Sequence, residues 1–123
     1  MEYLLIGVGG FLGANARYIL ADWAARRFGV VFPYGTFLIN ITGSVMLGFF
    51  LAFLQERAFI HPYYRLFFAV GFLGAYTTFS TFTYESLRLM QEGSLSLGLL
   101  NVVGSPLIGL LGAFVGFVLG SLV

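Results

Sequence analysis

The sequence predicts an all-α integral membrane protein with four transmembrane helices in each subunit. Of its 123 residues, 59% are hydrophobic and only 9% are charged, whereas soluble domains usually carry roughly a quarter charged residues. A membrane-spanning helix needs about 20 consecutive apolar residues, and charged turns divide this chain into four apolar runs of that kind. We therefore expect residues 1–123 to form a single four-helix transmembrane domain.

The composition also excludes several classes of function. The net charge of +1 provides no basic surface for nucleic acid. The absence of cysteine excludes disulfides, cysteine-ligated metals and thiol catalysis. The single histidine, His61, lies in a predicted loop without a nucleophile–base pair, so the sequence does not indicate an enzyme. The N-terminus, Met1-Glu2-Tyr3, lacks the basic region of a cleaved signal peptide and is expected to begin the first span.

The first two spans are predicted at residues 3–25 and 34–54. Glycines four positions apart in the first span, Gly9 and Gly13, are typical of helices that approach one another closely in membranes. In the second span, three polar residues recur at every fourth position and therefore share one helix face; they are Thr36, Asn40 and Ser44. A polar stripe of this kind either joins helices by hydrogen bonds or lines a pathway.

The third span, predicted at residues 65–90, contains glycines and hydroxyls in its middle. Because glycine and threonine weaken a helix, the segment from Gly74 to Thr77 predicts a helix that is broken near its middle. Unwound carbonyl groups at this depth commonly coordinate a hard cation such as sodium. In the same span, Phe79 and Phe82 lie three residues apart and share a face. This pair either packs in the core or turns its positive ring edges toward an anion.

The fourth span, predicted at residues 94–123, has a row of small residues at Gly112, Gly116 and Gly120. A neighbouring row contains Asn101 and Ser105, which Pro106 directly follows. Small residues at every fourth position allow close helix packing, and four short spans enclose little interior by themselves. The tight faces therefore indicate a homo-oligomer.

The polar side chains at the centre of the second, third and fourth spans are neutral, and the hydroxyls and amides among them can donate hydrogen bonds. A cation or proton antiporter normally needs an acidic residue within the membrane, and these spans have none at their centre. The lining therefore favours a small anion. Arginines in the short loops number two on one side and three on the other, and this weak bias permits insertion in both orientations and an antiparallel dimer.

Several strings along the chain closely resemble the Fluc (CrcB) family of fluoride channels. The third span carries Gly71-Phe72-Leu73-Gly74, then Thr77-Thr78-Phe79-Ser80-Thr81-Phe82 and Glu85. Similar family motifs match Gly10, Gly13, Ala14 and Arg17 in the first span and Gly35, Thr36, Asn40 and Gly43 in the second. The resemblance implies an antiparallel, dual-topology homodimer with two pores that conduct fluoride passively across the bacterial cytoplasmic (inner) membrane.

The resemblance also implies roles for individual residues. Phe79 and Phe82 would turn their ring edges toward fluoride, and Asn40 would donate its amide hydrogens. The remaining polar lining would come from Thr36, Ser80, Thr81 and Ser105. The carbonyl groups of Gly74 and Thr77 would hold a structural sodium ion on the dimer axis. Arg17 and Glu85 match charged residues of the family, as a vestibule charge or a structural charge.

The fourth span departs from the family pattern. Some members place hydroxyl side chains at three successive fourth positions, whereas this row contains Asn101, Ser105 and Gly109. Two alternative functions remain. A small proton-coupled multidrug-type transporter would need a glutamate within its first span, and Glu2 lies only at the edge of that span. A non-conducting structural membrane protein would use every polar stripe for helix packing.

Overall fold

A computed structural model describes all 123 residues, and every regular element in it is helical. The helices are α1 (Glu2–Phe28), α2 (Tyr34–Gln55), a π-helix, π1 (Arg65–Leu73), then α3 (Gly74–Tyr76), α4 (Ser80–Gln91) and α5 (Leu95–Leu122). Four segments are long and apolar enough to cross a membrane, namely α1, α2, α5 and the third span, Arg65–Gln91. The prediction of an all-helical protein with four candidate spans is therefore confirmed.

The turns between spans follow from local backbone chemistry. Gly29, which follows α1, has φ of 84°, and Gly93, between α4 and α5, has φ of 86°. Both values lie in the left-handed region, which only glycine adopts without steric cost. Pro33 immediately precedes α2, where its missing N–H costs no helical hydrogen bond.

The third span is not uniformly helical. Its π-helical first part passes into the short helix α3, and residues 77–79 belong to no helix. At Thr77 the backbone is extended, with φ of −83° and ψ of 157°. The chain becomes helical again at Ser80. This interruption places non-helical backbone between two segments of a span, where hydrocarbon tolerates it only if protein or water covers it.

Close packing on glycine holds the helices together. On α5, a Cβ atom added to Gly116 would collide with the carbonyl oxygen of Val45 in α2. On α1, a Cβ atom at Gly13 would collide with the carbonyl oxygen of Phe72 in π1. Since no larger residue fits at these positions, the two glycine rows bring α5 against α2 and α1 against π1 at backbone contact distance.

The interior of the single chain is small. Only 19 of 123 residues are buried, and the main apolar cluster consists of Ile39, Leu73 and Tyr76. Large apolar side chains cover the outside of α1 and α5. A water-soluble protein would not expose contiguous apolar surface of this extent, so this surface fits lipid or a further protein chain.

Candidate functional site: a polar groove beside the interrupted span

A groove of about 580 Å³ lies where α2, α5 and the interrupted third span meet. Its lining combines small residues, neutral polar side chains and two phenylalanines, and it contains no acidic or basic residue. The lining residues that matter below are Asn40, Ser44, Gly74, Thr77, Thr78, Phe79, Phe82, Ser105 and Pro106. Six of the residues that the sequence predicted for the site therefore lie together: Asn40, Phe79, Phe82, Ser105, Gly74 and Thr77.

Asn40 fixes the interrupted backbone with both ends of its side-chain amide. Its Nδ2 donates to the carbonyl oxygen of Thr78 at 3.0 Å, and its Oδ1 accepts from the Thr78 N–H at 2.9 Å. The main chain of Thr78 thereby obtains from α2 the hydrogen bonds that it would otherwise find within a helix. The amide nitrogen has two hydrogens, and this contact uses one of them, so the second can donate to another acceptor.

The hydrogen bonds that the Asn40 and Thr78 side chains accept leave two backbone carbonyl groups without their usual helical donors. In a continuous helix the Thr78 N–H would donate to the carbonyl oxygen of Gly74, four residues earlier, but here it donates to Asn40. In a continuous helix the Thr81 N–H would likewise donate to the carbonyl oxygen of Thr77, but here it donates to Oγ1 of Thr78 at 3.3 Å. No hydrogen bond within the chain ends on the carbonyl oxygen of Gly74 or Thr77. These are the two carbonyls that the family resemblance assigns to sodium.

The N-terminus of α4 begins directly after the interruption. Oγ1 of Thr78 caps this end by accepting from the Thr81 N–H, and it donates to Oγ1 of Thr81 at 3.2 Å. The first N–H groups of a helix lack intrahelical partners and carry a partial positive charge. The start of α4 therefore adds a favourable field for an anion. The side chains of Ser80 and Thr81 lie beside the groove rather than in its lining.

The two phenylalanines are in contact but differ in exposure. Their ring centroids lie 6.2 Å apart, and the rings are inclined by 46°. Phe82 is 8% exposed, whereas Phe79 is 77% exposed. Phe82 is thus held in the body of the chain, while the ring of Phe79 projects from it.

On the α5 side, a buried chain of hydrogen bonds connects the groove to α4. Ser105 Oγ donates to Asn101 Oδ1 at 2.6 Å, and Asn101 Nδ2 donates to Ser86 Oγ at 2.8 Å. Ser86 Oγ then donates to the carbonyl oxygen of Phe82, also at 2.8 Å. Asn101 and Ser86 are each 2% exposed. We refer to Ser86, Asn101 and Ser105 as the serine–asparagine relay.

The three remaining residues that the sequence predicted lie outside the groove. Thr36 is buried in the first turn of α2. Arg17, on α1, donates from Nε to the carbonyl oxygen of Ala75 at 3.2 Å, so it ties α1 to the end of α3 just before the interruption. Glu85 is half-buried, and its Oε1 has no hydrogen-bond partner within the chain.

Two residues of this region were missed by the sequence analysis as site residues, Thr78 and Ser86. The Thr78-Phe79-Ser80-Thr81 string could have indicated a cap, because a threonine three residues before a helical N–H is a common N-terminal signal. Ser86 carries a weaker signal, its spacing of four residues after Phe82. Its partner Asn101 lies on another helix, and only the packing of α4 against α5 brings the two together.

Comparison with known proteins gives a consistent result. Residues 4–117 match the family described as CrcB-like protein, Camphor Resistance (CrcB). A protein of Acidobacterium capsulatum is 45% identical over 121 residues, covering 98% of this chain and 97% of the relative. A protein of Koribacter versatilis is 49% identical over 107 residues, covering 87% and 85% respectively. One of a Sulfurihydrogenibium species is 42% identical over 121 residues, covering 98% of each. All three relatives bear the name fluoride-specific ion channel FluC, which describes a channel and not an enzyme.

Proposed function

This chain belongs to the CrcB family, and from that premise we propose that it conducts fluoride passively and selectively across the bacterial cytoplasmic membrane. The observation that carries the proposal is the groove itself, whose polar residues are neutral and which contains no acidic side chain. Relatives of nearly the same length are named fluoride-specific ion channels. In this role the protein would lower fluoride that accumulates in the cytoplasm.

The lining suits fluoride because fluoride is small and accepts hydrogen bonds strongly. Asn40 has one amide hydrogen beyond its bond to Thr78, and Ser105 carries a hydroxyl on the α5 side of the groove. The edges of the Phe79 and Phe82 rings carry partial positive charge. Together these groups replace water around the ion without a fixed charge that would retain it, since conduction needs binding that is weak enough to release. Chloride accepts hydrogen bonds less strongly and recovers less of its dehydration cost.

A proton-coupled transporter fits the groove less well. Such a protein moves protons on an intramembrane carboxylate, but the groove contains none. Glu85 lies on α4, within the third span, but it does not line the groove, and its buried Oε1 has no hydrogen-bond partner within the chain. A purely structural role would not explain why the third span is interrupted at residues 77–79.

We also propose that two chains assemble as an antiparallel, dual-topology homodimer with two pores. In support, Gly74 is exposed and the ring of Phe79 projects from the single chain. Non-helical backbone within a membrane must be covered by protein or water. A second copy seated over residues 77–79, the break of the third helix, provides that cover and completes the open side of the groove. The arginine counts permit the inverted copy.

We also propose a structural sodium ion at the dimer axis, and the same break supports it. The carbonyl oxygens of Gly74 and Thr77 accept no hydrogen bond within the chain, and oxygen ligands suit a hard cation. Four such carbonyls, two from each copy, would hold sodium without an acidic residue. Because both chains would supply ligands, the bound sodium ion would hold the two chains together.

Fluoride efflux from liposomes containing the purified protein tests the proposal, with chloride efflux measured in parallel. We expect rapid loss of fluoride with no loss of chloride and no dependence on a proton gradient. Fluoride loss that stops when the proton gradient is abolished would favour a coupled transporter. No flux of either halide from folded protein would favour a structural role.

A further inference from the structure

The serine–asparagine relay has a direction that matters for anion binding. The Ser105 hydroxyl, which lies in the groove wall, points its proton away from the groove and toward Asn101 Oδ1. Asn101 then donates to Ser86, and Ser86 donates to the Phe82 carbonyl. Every proton in the relay therefore points into the protein. In this arrangement Ser105 presents oxygen lone pairs to the groove, and these repel an anion.

The same three side chains can also form a second hydrogen-bonded arrangement. If the Asn101 amide turns over, Nδ2 donates to Ser105 Oγ and Oδ1 accepts from Ser86 Oγ. Ser86 then releases the Phe82 carbonyl, which keeps the helical hydrogen bond from the N–H four residues later. Ser105 no longer needs to donate to Asn101, and its proton turns into the groove. The number of hydrogen bonds inside the protein falls by one, and the bond from Ser105 to the anion replaces it.

We propose that Asn101 is a positioning residue that reverses the relay when an anion occupies the groove. The inference rests on the proposed function and deepens it, because it explains how Ser105 becomes a donor only while fluoride is present. When the groove is empty, the Ser105 hydroxyl proton then has an acceptor within the protein, Asn101 Oδ1. The relay connects the groove, through Asn101 and Ser86, to the backbone carbonyl of Phe82.

The side-chain chemistry of asparagine is essential to this role. Its amide carries a donor on one end and an acceptor on the other, so rotation by half a turn exchanges them without moving the helices. Leucine has a similar size and neither group. Ser86 is the only hydroxyl that bonds Asn101 on the α4 side, and it can be removed without changing the α5 wall.

Fluoride efflux from liposomes, measured with matched variants, tests how much the relay contributes to conduction. Asn101→Leu is expected to reduce fluoride efflux by roughly tenfold, the factor that corresponds to about 1.4 kcal/mol. Ser86→Ala should reduce it severalfold, and Ser86→Thr, which keeps the hydroxyl, should restore it. Ser121→Ala is the control, because Ser121 Oγ donates to the Phe117 carbonyl as Ser86 does to Phe82, but lies exposed and outside the relay.

A spectroscopic readout separates reversal from a merely structural role. The chain has three asparagines, Asn15, Asn40 and Asn101, so ¹⁵N-asparagine labelling gives three side-chain amide signals in reconstituted protein. The Asn101 signal is assigned by its loss in Asn101→Leu. We expect it to shift when sodium fluoride replaces sodium chloride at equal concentration. In Ser105→Ala the shift at Asn101 should vanish, while a shift at Asn40 remains.

Each result of this experiment is decisive. A fluoride-dependent shift at Asn101 that requires Ser105, with reduced flux in Asn101→Leu and Ser86→Ala, supports the relay. Wild-type flux of fluoride without any shift at Asn101, or full flux in both variants, overturns the relay and leaves the proposed function intact. Absence of fluoride flux in folded wild-type protein overturns the proposed function, and the relay with it.

Discussion

Asn40 contacts the interrupted backbone through two hydrogen bonds to one residue, Thr78. Removal of this side chain would leave the Thr78 N–H and carbonyl oxygen without hydrogen-bond partners at a part-buried position. An unsatisfied buried polar group costs about 1–3 kcal/mol. The asparagine therefore has a structural task and a proposed conducting task in the same place.

Asn40→Leu is expected to lower both stability and fluoride flux. The leucine cannot bond Thr78, and it removes the amide hydrogen proposed to face the anion. We expect a lower thermal unfolding midpoint in detergent and a large loss of fluoride efflux from liposomes. Asn15→Leu is the control, because Asn15 is exposed and bonds only its own helix at Phe11. Equal behaviour of the two variants would contradict the role of the Asn40–Thr78 hydrogen bonds.

Thr78→Val tests the cap of α4 at the level of a single hydroxyl. The substitution removes the acceptor for the Thr81 N–H, and loss of an N-terminal cap costs about 0.5–2 kcal/mol. We expect a lower unfolding midpoint with helical content retained by circular dichroism. Thr83→Val is the matched control, since Thr83 is exposed and bonds the Ser80 carbonyl of its own helix. A larger loss in Thr83→Val would show that the cap is unimportant.

At the scale of elements, glycine rows determine how closely the helices approach. The contact of α5 with α2 has no room for a Cβ atom at Gly116, where the nearest atom is a backbone oxygen. Backbone cannot rotate aside as a flexible side chain can. A methyl group there must separate the helices.

Gly116→Ala is accordingly expected to destabilise the protein by about 1–3 kcal/mol, the usual cost of overpacking. Gly7→Ala, on the outside of α1 where a Cβ atom meets nothing within 4 Å, should be neutral or slightly stabilising because alanine favours a helix. Thermal unfolding of both variants in the same detergent compares them. Similar destabilisation in both would contradict the role of the α5 glycine row.

The sequence predicted the elements more readily than the site. Four apolar runs separated by charged turns are a strong local signal, and the structure contains four candidate spans. The pairing of Asn40 with Thr78, 38 residues apart, depends on how α2 packs against the third span and leaves no periodic pattern. The same holds for Ser86 and Asn101. Thr36 shares the spacing of Asn40 and Ser44, but it is buried in the first turn of α2 and does not line the groove.

At the scale of the whole molecule, the charge distribution gives little preference for one orientation in the membrane. Three arginines lie near one side, Arg26, Arg27 and Arg88, and two near the other, Arg57 and Arg65. The positive-inside rule acts through such loop charges, so a near balance predicts both orientations in one membrane. The antiparallel dimer that we propose requires this mixture.

Cysteine accessibility tests the prediction directly, because the chain contains no cysteine of its own. Gln91→Cys and Ala58→Cys place single thiols at exposed positions near opposite ends of the third span without changing any charge. An impermeant thiol reagent added outside intact cells should label about half of each population, as a weak loop bias implies. Complete labelling of one variant and none of the other would contradict dual topology.

The most direct test of the account is fluoride and chloride efflux from liposomes containing Phe82→Ile, compared with wild type and with Phe114→Ile on the outside of α5. Phe82 lies in the groove wall, whereas Phe114 is 63% exposed and away from it. We predict rapid fluoride loss without chloride loss for wild type and Phe114→Ile, and loss of fluoride flux in a folded Phe82→Ile protein. Wild-type fluoride flux that Phe82→Ile leaves unchanged would show that the ion does not pass through this groove.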